Sequence, residues 1–425
     1  MQTASKKVIN GWAMYDWANS VYNLVITTTF FPAYYAAVTS LKNFPNGVPI
    51  FGRYFNNTAL KDYVLSLGFL IIAILSPILS SIADYKGNKK NFMRFFCYLG
   101  AASCSLMYFF DKSNVTLGLL CFMFAAIGFY GSQVFYNSYL PEIAAEQDRD
   151  RVSAKGYTYG YIGSVLMQLV GFALVMMMPD SALPLKLTFL LVGIWWVVFA
   201  QITFNVLPIS SKKEREIRKN VITNGFNELK LVWAQLVHLP VLKRFLLAFW
   251  FYSMGVQTVM LVGIDFGIKI IHLEDAKLII AAVVIQLVAI AGAYGMSKLS
   301  GIYGNIKVLL LTVLLWIGVC VTAYFITNEI EFYILAALIG LMMGGIQSLS
   351  RSTYSKLMPE TKDTASFFSF YDVTEKFALV IGLFSFGFIE EFTHSMRNSI
   401  LVLIGFFVLG FLFLFLTLGK QKKAS

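Results

Sequence analysis

The chain has 425 residues, of which 58% are hydrophobic and only 13% are charged, and its formal net charge is +11. A soluble protein carries nearer a quarter charged residues, so this composition excludes a water-soluble globular protein. The four cysteines and three histidines are scattered singly, and the sequence has no nucleotide-binding P-loop. It therefore indicates no metal site, no cofactor and no direct use of ATP.

Apolar segments long enough to cross a bilayer follow one another along the chain. A bilayer core about 30 Å thick requires roughly 20 apolar residues, and inside lipid the backbone of such a segment must be helical. The sequence predicts an all-α membrane protein with twelve transmembrane helices, at residues 11–37, 63–83, 93–110, 115–138, 157–178, 186–206, 245–267, 278–297, 307–327, 331–350, 367–389 and 397–418. We interpret the first as a retained helix, since Asp16, Asn19 and Asn23 interrupt it in a way that a signal peptide would not tolerate.

The basic residues are divided unevenly between the connections. With the N-terminus inside, 25 of the 34 Lys and Arg lie in cytoplasmic segments and 8 on the opposite side, and Lys376 lies within a span. This positive-inside distribution predicts that both termini are cytoplasmic. The excess charge then faces anionic lipid headgroups rather than nucleic acid. We expect a monomer in the bacterial cytoplasmic membrane, with the bilayer, a small solute and a proton as partners.

A polar linker separates two sets of six spans. It covers residues 207–244, so the predicted domains are an N-terminal half, 1–206, and a C-terminal half, 245–425. Within the linker, Phe226–Val237 is predicted to lie on the membrane as an amphipathic helix. The side chains predicted to face lipid are Leu229, Trp233 and Leu236.

An internal repeat supports this division. The sequence D-Y-K-G-N after span two matches G-I-Y-G-N after span eight, and L-P-E after span four matches M-P-E after span ten. The matching glycines, Gly87 and Gly304, are 217 residues apart, and the matching prolines are 218 apart. Two landmarks at nearly one offset predict pseudo-symmetric halves, although two short matches also arise by chance.

The turn after span two carries a candidate conformational motif. Gly87 permits a sharp reversal, and Asp84 is placed to contact a neighbouring helix end or a cation. Lys89 and Lys90 follow directly. The alternative interpretation is that these lysines only set the topology.

Placing a charged side chain at the centre of a transmembrane helix costs about 2.5–3.5 kcal/mol on insertion scales. Charged residues inside a span are therefore candidates for a functional role. Four polar clusters are candidates for solute contact or gating; they gather in the cytoplasmic half of the spans, except that Tyr22 and Asn23 lie deeper, as candidate solute contacts. They are Asp16, Asn19, Tyr22 and Asn23 in span one, Asn137 in span four, Gln347 and Arg351 in span ten, and Asp372, Glu375 and Lys376 in span eleven.

The spacing in span eleven predicts an ion pair. Asp372 and Lys376 are four residues apart with the acid first, which suits a helix pair and leaves Glu375 over as a candidate proton carrier. The alternatives are structural: a hydrogen-bond network in span eleven, an interfacial aromatic belt in span one, and an Arg351 that snorkels to the cytoplasm.

Four stretches in spans one, four, ten and eleven carry a family resemblance. They read G-W-x-x-Y-D-W-A-N-S, F-Y-N-S-Y-L-P-E, G-G-I-Q-S-L-S-R-S and Y-D-V-T-E-K-F. With the two six-helix halves they resemble the vacuole-effluxer-like family of the major facilitator superfamily. The superfamily's turn, G-x-x-x-D-R-x-G-R-K, is matched in part: Ser80 replaces its first glycine, and Gly301 replaces the aspartate in the second copy. The resemblance implies the major facilitator fold and, from the fungal members, amino acid export.

These observations predict a secondary active transporter of a small polar solute, working by alternating access with proton coupling. The resemblance implies an amino acid or a similar zwitterion as the solute. Asp16, Asp372 and Glu375 are the candidate titrating groups, with Arg351 and Lys376 as counter-charges. The alternatives are an exporter of drugs or other metabolites and a non-transporting membrane sensor. An enzyme is not expected, since the sequence has no nucleophile–base set or metal-binding motif.

Overall fold

The structure, a computed structural model, describes residues 2–50, 52–179, 182–208 and 221–424. Those ranges are helical almost throughout. The helices before the linker are α1 (Lys6–Val21), α2 (Phe31–Val38), α3 (Asn57–Lys86), α4 (Lys89–Leu106), α5 (Val115–Ser138), α6 (Leu140–Ile143), α7 (Arg149–Met177) and α8 (Leu183–Val206). The later helices are α9 (Val221–His238), α10 (Pro240–Lys269), α11 (Asp275–Tyr303), α12 (Asn305–Phe325), α13 (Glu329–Leu357), α14 (Thr364–Thr393) and α15 (Met396–Ala424).

A helix occupies each of the predicted spans. In the described ranges, ten helices are long and apolar enough to cross a membrane. The other two predicted spans correspond to α1, which has 16 residues before its geometry changes, and to α14, which carries several charged residues. The chain is thus an all-α membrane protein, and its helices are compatible with the predicted count of twelve.

A nine-residue π-helical stretch, Tyr22–Phe30, joins α1 to α2. The hydroxyls of Thr28 and Thr29 both donate to the carbonyl oxygen of Leu24, at 2.7 and 2.9 Å. Such back-bonding competes with the backbone for an acceptor and favours departure from α geometry. Hydropathy does not distinguish π from α turns, so the sequence did not predict this stretch. Short π segments are frequent at functional sites.

A small antiparallel hairpin lies between α2 and α3. Its strands are β1 (Val48–Ile50) and β2 (Arg53–Phe55), with Val48 paired to Phe55. The sequence does not predict this hairpin. Apolar spans are recognised over segments of about 20 residues, and two three-residue strands in a polar connection are too short to be detected in that way.

The helices pack into two compact units. The C-terminal unit contains Met1–Ala4, Ser138–Tyr161 and Asn227–Ser425, and the N-terminal unit contains Ser5–Asn137 and Ile162–Phe226. In the C-terminal unit α10 packs on α14 and α15, while in the N-terminal unit α1 and α4 pack on α8. The segment Ser138–Tyr161, with α6 and the start of α7, therefore packs with helices that follow the linker. The predicted domain boundaries at 206 and 245 remain a prediction.

The predicted amphipathic helix is present as α9, but one of its faces was assigned wrongly. Leu236 is 3% exposed and packs inward with Val232, while Trp233 is 60% exposed with its ring 6.1 Å from that of Phe370. Leu236 therefore does not face lipid. The apolar residues of α9 divide into a buried set, Val232 and Leu236, and the exposed Trp233. The side chain of Leu229 and residues 209–220 of the linker lie outside the described residues.

Glycines allow α11 and α13 to approach closely. A Cβ at Gly340 or Gly344 would overlap the carbonyl oxygen of Ile285 or Ala289, and one at Gly292 would overlap that of Leu341. Membrane helices associate through such small-residue contacts, since lipid supplies no hydrophobic drive between them. This close contact holds α13, which carries two of the candidate site residues, in place.

Adding a methyl group at this contact is expected to destabilise the protein. Gly344→Ala should lower the free energy of unfolding by about 1–3 kcal/mol, the usual cost of overpacking. Gly318→Ala is the matched control, because a Cβ there meets nothing within 4 Å; it should be neutral or slightly stabilising. Denaturant titration of the two purified variants measures the difference, and equal stabilities would contradict the packing argument.

Candidate functional site

Asp16 on α1 is held by an aromatic residue of α5. Its carboxylate, in a residue only 4% exposed, accepts a hydrogen bond of 2.8 Å from the hydroxyl of Tyr136. Trp12 stacks on the Tyr136 ring with centroids 4.4 Å apart, and its indole N–H donates to the Tyr136 carbonyl oxygen at 3.0 Å. A carboxylate buried in this way needs such partners. The tryptophan in the motif therefore positions the tyrosine that binds Asp16.

The other predicted residues of span one differ in their surroundings. Asn19 and Tyr22 are fully buried, and the Asn19 Nδ2 and Tyr22 hydroxyl atoms have no hydrogen-bond partner within the described part of the chain. Asn23 is half-buried and lies in the π stretch, which begins at Tyr22. Asn137 is half-buried near the end of α5. All these residues belong to the N-terminal unit.

The turn between α3 and α4 reverses at Gly87 and contains a buried ion pair. Gly87 adopts the left-handed φ of 63° that a sharp reversal favours. The Lys89 ammonium lies 3.1 Å from the Asp84 carboxylate, and both side chains are at most 2% exposed. The Lys90 ammonium donates to the carbonyl oxygens of Phe204 and Leu207, at 3.1 and 2.5 Å. Two of the lysines are therefore engaged in the protein, beyond any contribution to topology.

Arg351 on α13 is buried, with 1% of its surface exposed. Its guanidinium donates to the hydroxyl and carbonyl oxygens of Ser153, at 2.9 and 2.7 Å, and lies over the Tyr157 ring at 4.2 Å from the centroid. Both partners are on the first turns of α7. Arginine makes this two-point contact and ring stacking, and lysine does not. Arg351 thus contacts α7 inside the protein rather than snorkelling.

Gln347, one turn from Arg351, links α7 to α10. Its side-chain oxygen accepts from the Tyr161 hydroxyl at 2.7 Å, and its amide nitrogen donates to the Met260 sulfur at 3.4 Å. Nearby on α13, Ser350 shares a hydrogen bond of 2.7 Å with the Tyr252 hydroxyl. The polar face of α13 is therefore contacted from both α7 and α10.

α14 carries the ion pair that the spacing predicts. Lys376 pairs with Asp372, and both side chains are about 5% exposed. Glu375 is half-buried and accepts a hydrogen bond of 2.8 Å from the Gln257 amide on α10. Lys376 thus forms a direct ion pair with Asp372, while Glu375 accepts its hydrogen bond from a neutral amide. Glu375 is therefore the acid of this cluster whose hydrogen bond comes from an uncharged donor.

Sequence reasoning missed the residues of α7. Ser153, Tyr157 and Tyr161 are spaced by four, so they share one helix face. That spacing of polar and aromatic residues was a usable signal, but nothing in it indicated that the face contacts Arg351 and Gln347. The structure places these α7 residues, α13 and the α14 acids in one unit, the C-terminal unit.

Comparison with solved structures identifies the fold. A point variant of the E. coli fucose:proton symporter FucP matches with a TM-score of 0.69 and 15% sequence identity, over 97% of each chain. At that identity the match shows the fold alone. The chain therefore shares the fold of FucP, a Major Facilitator Superfamily transporter.

The family follows from the sequence comparisons. The model of the family described as "Vacuole effluxer Atg22 like" matches residues 4–425. The MFS-type transporter YxiO of Bacillus subtilis strain 168 is 32% identical over 415 residues, covering 95% of this chain and 93% of YxiO. Autophagy-related protein 22 of Eremothecium gossypii is 26% identical, over 96% of this chain and 90% of the relative. The chain belongs to the vacuole effluxer Atg22-like family and is a multi-pass membrane transporter of the major facilitator type.

Proposed function

We propose that the protein exports an amino acid or a similar zwitterion from the cytoplasm by alternating access, driven by a proton gradient. The family description, "Vacuole effluxer Atg22 like", supports efflux as the mode of transport. The bacterial relative YxiO supports a bacterial membrane, and the positive-inside distribution of Lys and Arg supports cytoplasmic termini. The observation that carries the coupling is the arrangement on α14, where Asp372 pairs with Lys376 and Glu375 is bound by Gln257.

Glu375 is the proposed acceptor for the proton or for the ammonium group of the solute. The residue is half-buried, and the proposed role requires that water or solute reaches its carboxylate. Its hydrogen bond comes from a neutral amide, which also accommodates a protonated carboxyl. A gain or loss of one charge beside the Asp372–Lys376 pair changes the local electrostatic balance, which is a physical means of coupling protonation to movement of α14.

Contacts of Ser138–Tyr161 support a gate on the proposed cytoplasmic side. Besides the Arg351–Ser153 contact, Arg149 donates to the Ser355 carbonyl oxygen at 2.7 Å, and the Thr364 hydroxyl donates to the Glu142 carboxylate at 2.8 Å. These bonds hold the segment against the C-terminal end of α13 and the N-terminal end of α14. The predicted topology places both of these helix ends on the cytoplasmic side. We propose that opening of the inner gate breaks these bonds.

Neutralising Glu375 while keeping its hydrogen bond is expected to abolish proton-driven accumulation. Glu375→Gln retains an acceptor for the Gln257 amide but cannot exchange a proton. In proteoliposomes with an imposed pH gradient, uptake of a radiolabelled L-amino-acid mixture should fall at least tenfold relative to the wild type. Asp16→Asn and Asp372→Asn test the other two proposed titrating groups in the same assay.

The control variant is Glu390→Gln, which removes a partly exposed carboxylate paired with Lys269. It should transport like the wild type, and all variants should elute as folded protein in size-exclusion chromatography. Wild-type accumulation by Glu375→Gln would disprove the proton site. Absence of gradient-dependent uptake in the wild type, with every amino acid tested, would refute the solute class.

A further inference from the structure

The first turn of α7 brings a buried carboxylate to the turn between α11 and α12. The Asp150 side chain is 6% exposed. It accepts hydrogen bonds from the Ser300 hydroxyl at 2.8 Å, from the Asn305 amide at 2.7 Å and from the Lys356 ammonium at 2.6 Å. One carboxylate thus has three donors from two other parts of the C-terminal unit.

These donors flank the second copy of the repeated turn. Ser300 and Asn305 lie on either side of Gly304, which has the left-handed φ of 84°. Asn305 also accepts from Lys356 at 3.0 Å and donates to Thr353 at 3.0 Å, so the turn is tied to the end of α13. Asp150 is the only anion in this set of bonds, and it comes from a segment more than a hundred residues earlier.

The first copy of the turn is built differently. There the carboxylate belongs to the turn itself, because Asp84 pairs with Lys89 five residues later. In the second copy, Gly301 stands where Asp84 stands in the first. Each turn nevertheless has a buried carboxylate–lysine pair, one formed within the turn and the other formed by Asp150 and Lys356.

We propose that Asp150 supplies to the α11–α12 turn the carboxylate that this turn has lost, and so acts as a latch between the start of α7 and the end of α13. The turn after span two contains its own acid, Asp84, whereas the α11–α12 turn receives its acid from the first turn of α7. Asp150 is therefore a positioning residue, and it touches no proposed solute contact. The latch does not depend on the solute or on proton coupling.

The latch is tested by hydrogen–deuterium exchange of the full-length protein in detergent micelles. In Asp150→Asn, amides at 300–307 should exchange at least tenfold faster than in the wild type, because Lys356 loses its anion. Exchange at 84–90 should be unchanged, since Asp84 remains. Asp148→Asn is the matched control: its carboxylate bonds Thr3 and Arg151, at 2.5 and 2.7 Å, rather than the turn, and it should leave 300–307 unchanged.

An exchange of side chains separates the latch from a general loss of structure. The double variant Asp150→Ser with Ser300→Asp exchanges the two side chains that are hydrogen-bonded in the wild type. It thereby places a carboxylate on the turn itself. Slow exchange at 300–307 should be restored in this variant. The proposal would be overturned if amides at 300–307 in Asp150→Asn exchange at the wild-type rate. It would also be overturned if the double variant exchanges there as fast as Asp150→Asn, whether or not Asp150→Asn also speeds exchange at 84–90.

Discussion

Replacing Lys376 with glutamine is expected to lower the free energy of unfolding by about 3 kcal/mol or more. The Asp372 carboxylate would lose its counter-charge in a site where the side chains are about 5% exposed, and breaking a buried ion pair from one side typically costs about 3–5 kcal/mol. The free carboxylate must then be desolvated without a counter-charge or take up a proton. Equilibrium unfolding of the purified variant in mixed micelles measures the loss.

Two further variants show whether the loss comes from an unpaired buried charge. Asp372→Asn combined with Lys376→Gln removes both charges and keeps an amide pair at the same spacing, so it should recover most of the stability. Lys269→Gln breaks a pair whose lysine is 55% exposed, and such surface pairs contribute about 0–1 kcal/mol. If the double variant is as unstable as Lys376→Gln, the ion pair is not the cause.

The helices could be predicted because a chain segment inside the bilayer must satisfy its backbone hydrogen bonds internally. An apolar run of sufficient length in lipid has one way to satisfy its backbone, so hydropathy alone places α3, α5 or α12 closely. Hydropathy does not predict the π stretch after α1, because that stretch depends on which carbonyl oxygen accepts the hydrogen bonds from the Thr28 and Thr29 hydroxyls. The inward packing of Leu236 likewise depends on a neighbour that the periodicity of α9 does not specify.

Predictability of the candidate site follows the same division. The Asp372–Lys376 pair is local, and helix geometry alone brings residues four apart together. The reversal at Gly87 is also local. The Glu375–Gln257 and Asp150–Lys356 bonds join residues that are 118 and 206 positions apart. They depend on how whole helices pack, and a single sequence carries no periodic signal for that packing.

Replacing Arg351 with lysine is expected to reduce transport at least tenfold, although the charge is kept. Arg351 donates through two nitrogens to Ser153 and lies flat over Tyr157, and the compact lysine ammonium reproduces neither contact. A tenfold change corresponds to about 1.4 kcal/mol, less than the usual value of one hydrogen bond to a charged group, about 1.5–3 kcal/mol. The initial rate of uptake into proteoliposomes of the radiolabelled L-amino-acid mixture measures the effect.

Variants of the partners distinguish geometry from charge. Tyr157→Phe keeps the ring under the guanidinium, so it should retain more transport than Tyr157→Leu, which removes the ring and should fall with Arg351→Lys. Ser153→Ala removes one of the two acceptors but leaves the carbonyl, so a smaller loss is expected. If Arg351→Lys transports at the wild-type rate, a point charge at this position is sufficient. The contacts with α7 would then be packing alone, and the proposed gate would have to be held by Arg149 and Glu142 without Arg351.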